Sequence, residues 1–162
     1  MANTAGVSNS FKSEVMMGYH QLGAATIVSR TSLTAPTTDT IRAALYLSSA
    51  TVGPSKATYG GTVGSVADTG EATGAGYTAG GVVVTNANPP TTQTSTGTWT
   101  PSASLVYTTV SIGPVDCALI FNNTQGNRAI EVCTFTAQTP VAATLTLTMP
   151  AGGAGTSLLN LA

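Results

Sequence analysis

Residues 104–138 read SLVYTTVSIGPVDCALIFNNTQGNRAIEVCTFTAQ, which is three runs of strand-forming residues separated by two turn sequences. The turns contain Gly113-Pro114 and the stretch from Asn122 to Asn127, and Gly, Pro and Asn are residues that turns favour. Between the turns, Val, Ile, Thr, Tyr and Phe recur, and these residues prefer strands. We therefore predict three consecutive strands, Ser104–Ile112, Val115–Asn122 and Arg128–Ala137.

The same pattern extends to both sides of this stretch. Residues 39–50 alternate as strands do, with Ile41, Ala43, Leu45 and Leu47 on one face. Further strand signals, each bounded by Pro, Gly or Asn, cover Gly81–Asn86, Gln93–Thr100 and Ala142–Met149. In the last of these, Leu145, Leu147 and Met149 face one side and the intervening threonines face the other. Many short strands separated by turns are typical of a sandwich, so we predict an all-β, jelly-roll-like β-sandwich over residues 39–162.

The two ends of the chain carry apolar residues in different patterns. From Ser8 to Leu22 the spacing is helical, so residues 1–38 are predicted to form an N-terminal arm or short helix plus a linker. This segment either lies on its own sheet or grips a neighbouring subunit. After the Gly/Ala stretch 151–155, the apolar C-terminus is expected to close the sheet as a last strand. The candidate assembly interface is therefore Phe11, Val15, Tyr19, Leu22, Leu158, Leu159 and Leu161.

Residues 51–81 are rich in Gly, Thr and Ala and only weakly apolar. We predict a long loop with one short strand near Tyr59. Loops of this length in compact domains usually bind or assemble with something, so an assembly role, or wrapping around a partner, is expected.

The composition indicates a surface that other proteins cover. Charged residues make up 7% of the chain and hydrophobic residues 42%, against roughly 25% charged in an average soluble domain. Sheet edges are normally protected by charged side chains, and this chain has few. We therefore expect permanent protein neighbours to cover the edges.

The charge pattern and the apolar runs argue against other partners. A net charge of −1 with five scattered basic residues predicts no nucleic-acid binding. No apolar run approaches the roughly 18 residues that would span a membrane. The N-terminus lacks the pattern of a secretory signal, so synthesis in a cytoplasm is expected.

The residue types needed for catalysis are sparse. His20 is the only histidine, and it is expected at the surface or an interface beside Tyr19. The six acids are spread singly, so we expect no catalytic pair, no metal site, no cofactor and no small-molecule substrate. Cys117 and Cys133 are expected as free thiols. Trp99 and the tyrosines could form a sugar-stacking platform, but core packing is the favoured interpretation.

Several stretches of the chain together resemble a module of tailed-bacteriophage structural proteins. They are EATGAGYTAGG at 71–81, DTIRAALYL at 39–47, WTPS at 99–102, DCALIFN at 116–122 and LTLTMP at 145–150. The resemblance covers most of the chain from about Asp39 onward, and the N-terminal stretch through Leu22 also looks like that of small phage structural proteins.

This resemblance implies a β-sandwich protein of the virion that does no catalysis. Small modules of this length are similar to capsid cement or decoration proteins, which commonly sit as homotrimers between hexamers of the major capsid protein. The expected partners are thus the major capsid protein and copies of the chain itself. The alternatives are a tail, neck or fibre protein, or a carbohydrate-binding or adhesin module.

Overall fold

A computed structural model of the chain describes residues 3–16, 19–20, 22–23, 38–85, 89–93, 96–152 and 156–161. Within these ranges the chain forms one helix and eleven short strands, and all pairings between strands are antiparallel. The prediction of an all-β fold with a short N-terminal helix is confirmed. In chain order the elements are β1 (Gly6–Val7), α1 (Asn9–Met16), β2 (Ile41–Leu47), β3 (Gly74–Ala75), β4 (Val82–Val83), β5 (Thr91–Gln93), β6 (Thr96–Trp99), β7 (Leu105–Ile112), β8 (Val115–Asn122), β9 (Arg128–Gln138), β10 (Ala143–Leu147) and β11 (Leu159–Leu161).

The largest sheet has five strands in the order β1-β9-β8-β2-β4. Its centre is β8, whose bounds are those predicted from the sequence, and β8 pairs with β2 on one side and β9 on the other. Two three-stranded sheets, β10-β7-β3 and β11-β6-β5, complete the fold. Apolar side chains from all three sheets meet in one core, which includes Ile41, Ile120, Tyr107, Leu145 and Leu159. The predicted closing strand at the C-terminus is confirmed as β11.

The five-stranded sheet is buried on both faces. On the face away from the main core, Tyr46, Leu119 and Phe121 are fully buried, and they pack with Val52 and Tyr59 from the long loop. The loop after β2 therefore folds back over its own sheet. Alternation along β2 predicted where its side chains point, but not that this second face is covered by the chain itself.

Two strands replace the single one predicted over Gln93–Thr100. β5 and β6 pair with each other, Thr91 opposite Thr98 and Gln93 opposite Thr96. The run is mostly Thr and Ser with no large apolar residue before Trp99, so it carries no periodicity that could indicate the reversal. The predicted strand end at Asn86 lies outside the described residues.

Candidate assembly surfaces

The N-terminal helix packs on its own domain. β1 pairs with β9, Gly6 opposite Val132, and the ring of Phe11 in α1 is fully buried in the main core. In the structure, therefore, the helix lies on its own sheet, which is the first of the two interpretations of this segment. Residues 6–16 are thus built into the sandwich rather than reaching away from it.

Most of the predicted interface residues come together in one apolar groove. The groove lies between α1 and the sheet β11-β6-β5 and has a volume of about 140 Å³. The predicted residues lining it are Phe11, Val15, Leu22, Leu159 and Leu161, and Trp99 forms part of its wall. Residues 150 positions apart in sequence are adjacent because β11 pairs with β6 beside the helix.

The other two predicted residues lie elsewhere. Tyr19 is about two-fifths exposed, and the guanidinium carbon of Arg128 lies 4.6 Å from the centre of its ring, as in a cation–π contact. Leu158 lines a different opening, between β9 and β10. Neither contributes to the groove.

A buried polar network holds the helix in place. The Glu14 carboxylate accepts a hydrogen bond from Arg128 at 2.6 Å, and its other oxygen lies 2.7 Å from His20 Nε2. His20 Nδ1 lies 3.1 Å from the side-chain amide of Asn122, which donates to Asp39 at 2.6 Å. Burial opposes ionisation of Glu14, but its bonds to His20 and Arg128 outweigh that effect and lower the pKa of Glu14. His20, expected at a surface or interface, is instead enclosed within the protein.

The long loop is fastened by a second carboxylate centre. One oxygen of Glu71 accepts from the Tyr77 hydroxyl at 2.8 Å and from the Gly80 amide at 2.7 Å. The other accepts from the Tyr59 hydroxyl at 2.8 Å and from the Asp68 amide at 2.7 Å. Four donors from one loop, two of them backbone amides, thus converge on one side chain.

The fold places a second acid beside Glu71, which the sequence analysis did not expect. Asp68 forms an ion pair with Lys56 and accepts from the Tyr46 hydroxyl at 2.5 Å. Burial opposes the ionisation of Asp68, but these contacts outweigh it and lower its pKa. Because both carboxylates are occupied by donors of their own chain, the pair is organised to fix the loop rather than to meet a substrate.

The aromatic side chains considered for sugar stacking are packed inside. Trp99, Tyr59 and Tyr107 are each about 2% exposed, and Tyr77, the fourth aromatic residue considered, is partly buried against the core. The Tyr59 ring stacks on Phe121 with centroids 4.6 Å apart. The favoured interpretation of these residues as core packing is therefore confirmed. They offer no flat exposed face on which a sugar ring could stack.

Both cysteines are free, as expected. Cys117 is opposite Thr134 and Cys133 is opposite Ala118, so the two thiols belong to opposite faces of the sheet. Burial raises the pKa of Cys117 to about 12 and raises that of Cys133 as well. Both thiols are therefore protonated near neutral pH.

A second apolar opening lies between β9 and β10, and the sequence analysis missed it. It has a volume of about 480 Å³, and its described lining contains no charged residue. Phe135, Leu147 and Met149 are partly buried beneath it, while Thr134, Thr136 and Thr146 are exposed at its rim. The only sequence signal was the regular Thr alternation in residues 134–138 and 143–147, which contain no Lys, Glu or Pro to protect an edge.

None of the described charged side chains is fully exposed. The side chains of all charged residues except Lys12 and Arg30 are described. Each of the described charged side chains is buried or only partly exposed. Arg42, for example, donates from Nε to the Gly80 carbonyl at 3.1 Å and from a terminal nitrogen to the Gly81 carbonyl. The fully exposed residues of the described part are thus neutral, while Arg42, Lys56 and Arg128 remain partly exposed.

Within the described ranges, no three His, Cys, Asp or Glu side chains cluster as they would to hold a metal ion. The one helix in the described ranges, α1, has eight residues and is too short to cross a membrane.

Comparisons with known proteins give no match: no protein-family model, no curated protein and no solved structure is significantly similar to this chain. Any function must therefore be argued from the surfaces described above.

Proposed function

We propose that this chain is a non-catalytic structural protein of a tailed-bacteriophage particle, a capsid cement or decoration protein that stabilises the shell by bridging capsomers. Its partners in this proposal are the major capsid protein and copies of itself, with a homotrimer as the assembling unit. Its location is the virion, after assembly in the host cytoplasm.

The observation that carries the proposal is that none of the described charged side chains is fully exposed. A freely soluble monomer normally keeps many exposed Lys, Glu, Arg and Asp side chains, which provide solubility and protect sheet edges. Here the described charges are buried or partly buried, and several of them fasten the helix and the long loop. A neutral surface of Thr, Ser, Gly and Ala can be covered by a partner without desolvating unpaired charges, each of which would cost several kcal/mol.

The rigid construction of the surface supports the same function. The long loop is held by its own carboxylates and the helix by its own ion pair, so little conformational entropy remains to be lost on docking. A protein that binds only the assembled shell stabilises it by mass action, and many copies sum small contributions.

The test is the copy number of the chain in purified particles of the phage whose genome encodes it. Quantitative mass spectrometry should find hundreds of copies per particle, and a cryo-electron microscopy map should place them on the outside of the shell. Particles assembled without the chain should release their DNA at a lower temperature than complete particles do. Adding the purified protein back should return the release temperature to that of complete particles. If the chain is missing from purified particles, the proposal is wrong.

A tail, neck or fibre location is the second candidate, because the same neutral surface would suit any permanent assembly. The same measurement separates the two, since a few to dozens of copies per particle indicate a tail or neck position. The carbohydrate-binding alternative is disfavoured by the burial of Trp99, Tyr59 and Tyr107.

A further inference from the structure

His20 connects the N-terminal helix to the turn between β8 and β9 through both of its ring nitrogens. Nε2 lies 2.7 Å from a carboxylate oxygen of Glu14 in α1, and Nδ1 lies 3.1 Å from the side-chain nitrogen of Asn122 at the end of β8. The His20 side chain is about 1% exposed, so bulk water cannot replace either contact while the fold stays closed. The ring is therefore a buried link between two parts of the fold that are far apart in sequence.

The contacts of Asn122 decide which nitrogen of His20 carries the proton. The Asn122 side-chain oxygen accepts from the backbone amide of Gln125 at 3.1 Å, and its nitrogen donates to the Asp39 carboxylate at 2.6 Å. Turning this amide over would place its oxygen against a carboxylate and its nitrogen against an N–H donor. The remaining N–H of the amide is therefore donated to Nδ1, and a neutral ring carries its own proton on Nε2, facing Glu14.

Protonation would change one side of this link and preserve the other. An imidazolium has N–H donors on both nitrogens, so Nε2 keeps its bond to the Glu14 carboxylate. The new N–H on Nδ1 would face an N–H of Asn122 across 3.1 Å, and two donors repel each other. Because Asn122 is also held by Asp39 and Gln125, the ring and the helix that contacts it are the parts that yield.

Among the described residues, titratable groups reach His20 from three directions. Glu14 contacts the ring directly, and Arg128 at the start of β9 pairs with the same carboxylate. Asp39, before β2, lies behind the amide that contacts Nδ1, and the ring of Tyr19 packs on Arg128. Glu14 and Asp39 favour a charged ring and Arg128 opposes it, but the group in contact with Nδ1 is the amide donor.

We propose that His20 is a proton-sensitive link between the N-terminal helix and the body of the protein. The neutral ring joins α1 to the turn after β8, whereas the protonated ring stays with Glu14, separates from Asn122 and loosens residues 9–16 on the sheet. The change is reversible and needs only a proton from solvent. It does not depend on the proposed function, because it is a property of the isolated chain.

Nuclear magnetic resonance of the purified full-length protein tests where the proton lies. At pH 7.5 the nitrogen-15 shifts of the His20 ring should show a protonated Nε2 and an unprotonated Nδ1. A neutral ring with its proton on Nδ1 would overturn the inference, and so would a ring that is already charged at pH 7.5.

Hydrogen exchange provides the second readout. Between pH 7.5 and pH 5.0, amides of residues 9–16 should exchange at least tenfold faster, once the intrinsic effect of pH on exchange is removed. The increase should have the same midpoint as the titration of the His20 ring. Amides of residues 118–120 in the central strand β8 are the internal reference and should not change. Glu14 stays ionised over this range, because its pKa is lowered from an ordinary value of 4.5.

His20→Gln is the matched variant, since a glutamine amide can donate to Glu14 and accept from Asn122 but takes up no proton in this range. Its residues 9–16 should exchange at the same corrected rate at both pH values. Glu131, beside β1, has a pKa of about 8 and titrates in both proteins, so the comparison isolates the histidine. Equal acceleration in both proteins, or none in either, would contradict the proposal. If the variant does not fold, the ring assignment and the shared midpoint in the wild type decide.

Discussion

Some single positions of this fold tolerate only one residue type, and Gly81 is the clearest example. It closes the turn that returns the long loop to the sheet, with a φ of +61°. A Cβ at this position would lie 1.7 Å from the carbonyl oxygen of Ala43 in β2. Only glycine allows the backbone to approach the strand so closely.

We expect Gly81→Ala to destabilise the protein by at least about 3 kcal/mol, because the left-handed conformation and the steric clash both oppose the substitution. Gly126→Ala is the matched control, since Gly126 has a φ of +67° and no atom within 4 Å of the added Cβ. The control should lose only about 1 kcal/mol. Urea unfolding of both variants measures the difference, and equal losses would show that the contact with Ala43 is unimportant.

Glu131 is a buried carboxyl with an unsatisfied oxygen. One of its oxygens is buried without a hydrogen-bond partner in the described structure, and burial raises its pKa to about 8 from an ordinary value of 4.5. The folded protein therefore holds this proton over a range where the unfolded chain has released it. Its contribution to stability is unfavourable above pH 4.5 and grows until about pH 8.

Glu131→Gln should remove this dependence, because an amide stays neutral at every pH. We expect the variant to match the wild type near pH 4.5 and to exceed its stability by on the order of 2 kcal/mol at pH 8. Thermal unfolding at a series of pH values tests this. A stability difference that stays constant from pH 4.5 to pH 8 would contradict the assignment.

Secondary-structure elements differ in how far the sequence predicted them. β7, β8 and β9 were predicted to within one residue because their Val, Ile and Phe residues are bounded by Gly-Pro and Asn-rich turns. The long loop was located, but its docking on β2 and β8 depends on Glu71 meeting donors up to twelve residues away in sequence. No local pattern encodes that convergence.

The helix α1 also shows that a local pattern predicts an element but not what the element packs against. Its apolar spacing could be recognised in the sequence. Whether Phe11 packs within its own chain or against a neighbouring subunit depends on β11 and β6, which lie beside it. The seven interface residues could be chosen from the sequence because they are apolar and terminal. That five of them line one groove could not, because pairing between β11 and β6 is a long-range contact.

Phe11→Ala tests the role of this helix in the fold. Phe11 is fully buried and its ring centroid lies 4.7 Å from that of His20. Its truncation should cost about 3–5 kcal/mol and loosen the network around Glu14. Val15→Ala, on the same helix but 40% exposed, should cost less than about 1 kcal/mol. Chemical denaturation measures both losses of unfolding free energy. A loss below about 1 kcal/mol for Phe11→Ala would mean that the packing of the helix contributes little to the stability of the fold.

The described part of the molecule has no fully exposed charged side chain, and each of its two ion pairs between a carboxylate and a Lys or Arg joins a buried acid to a partly exposed base. Glu14 with Arg128 and Asp68 with Lys56 are ionised inside the fold, and the pKa values of both acids are lowered. Their stabilisation is present above the ordinary pKa values of 4.5 and 3.8 and is lost as the pH falls through the lowered ones. Charges used in this way contribute to the fold and little to long-range attraction.

This distribution predicts how the assembly responds to salt. If the protein docks through neutral surfaces, its affinity for particles should change less than threefold between 50 mM and 500 mM NaCl, because screening acts on exposed charges. Equilibrium binding of the labelled protein to particles lacking it measures this, with sodium sulfate as a comparison. Sulfate should strengthen binding, since it favours burial of apolar surface.

A tenfold or greater loss of affinity in NaCl would contradict a neutral interface and point to Lys12 or Arg30, the two charged residues whose side chains lie outside the described set. The variants Lys12→Gln and Arg30→Gln then identify which of them is responsible, because removing the responsible charge should abolish the salt dependence. If neither variant alters it, the attraction comes from the partly exposed Arg42, Lys56 or Arg128.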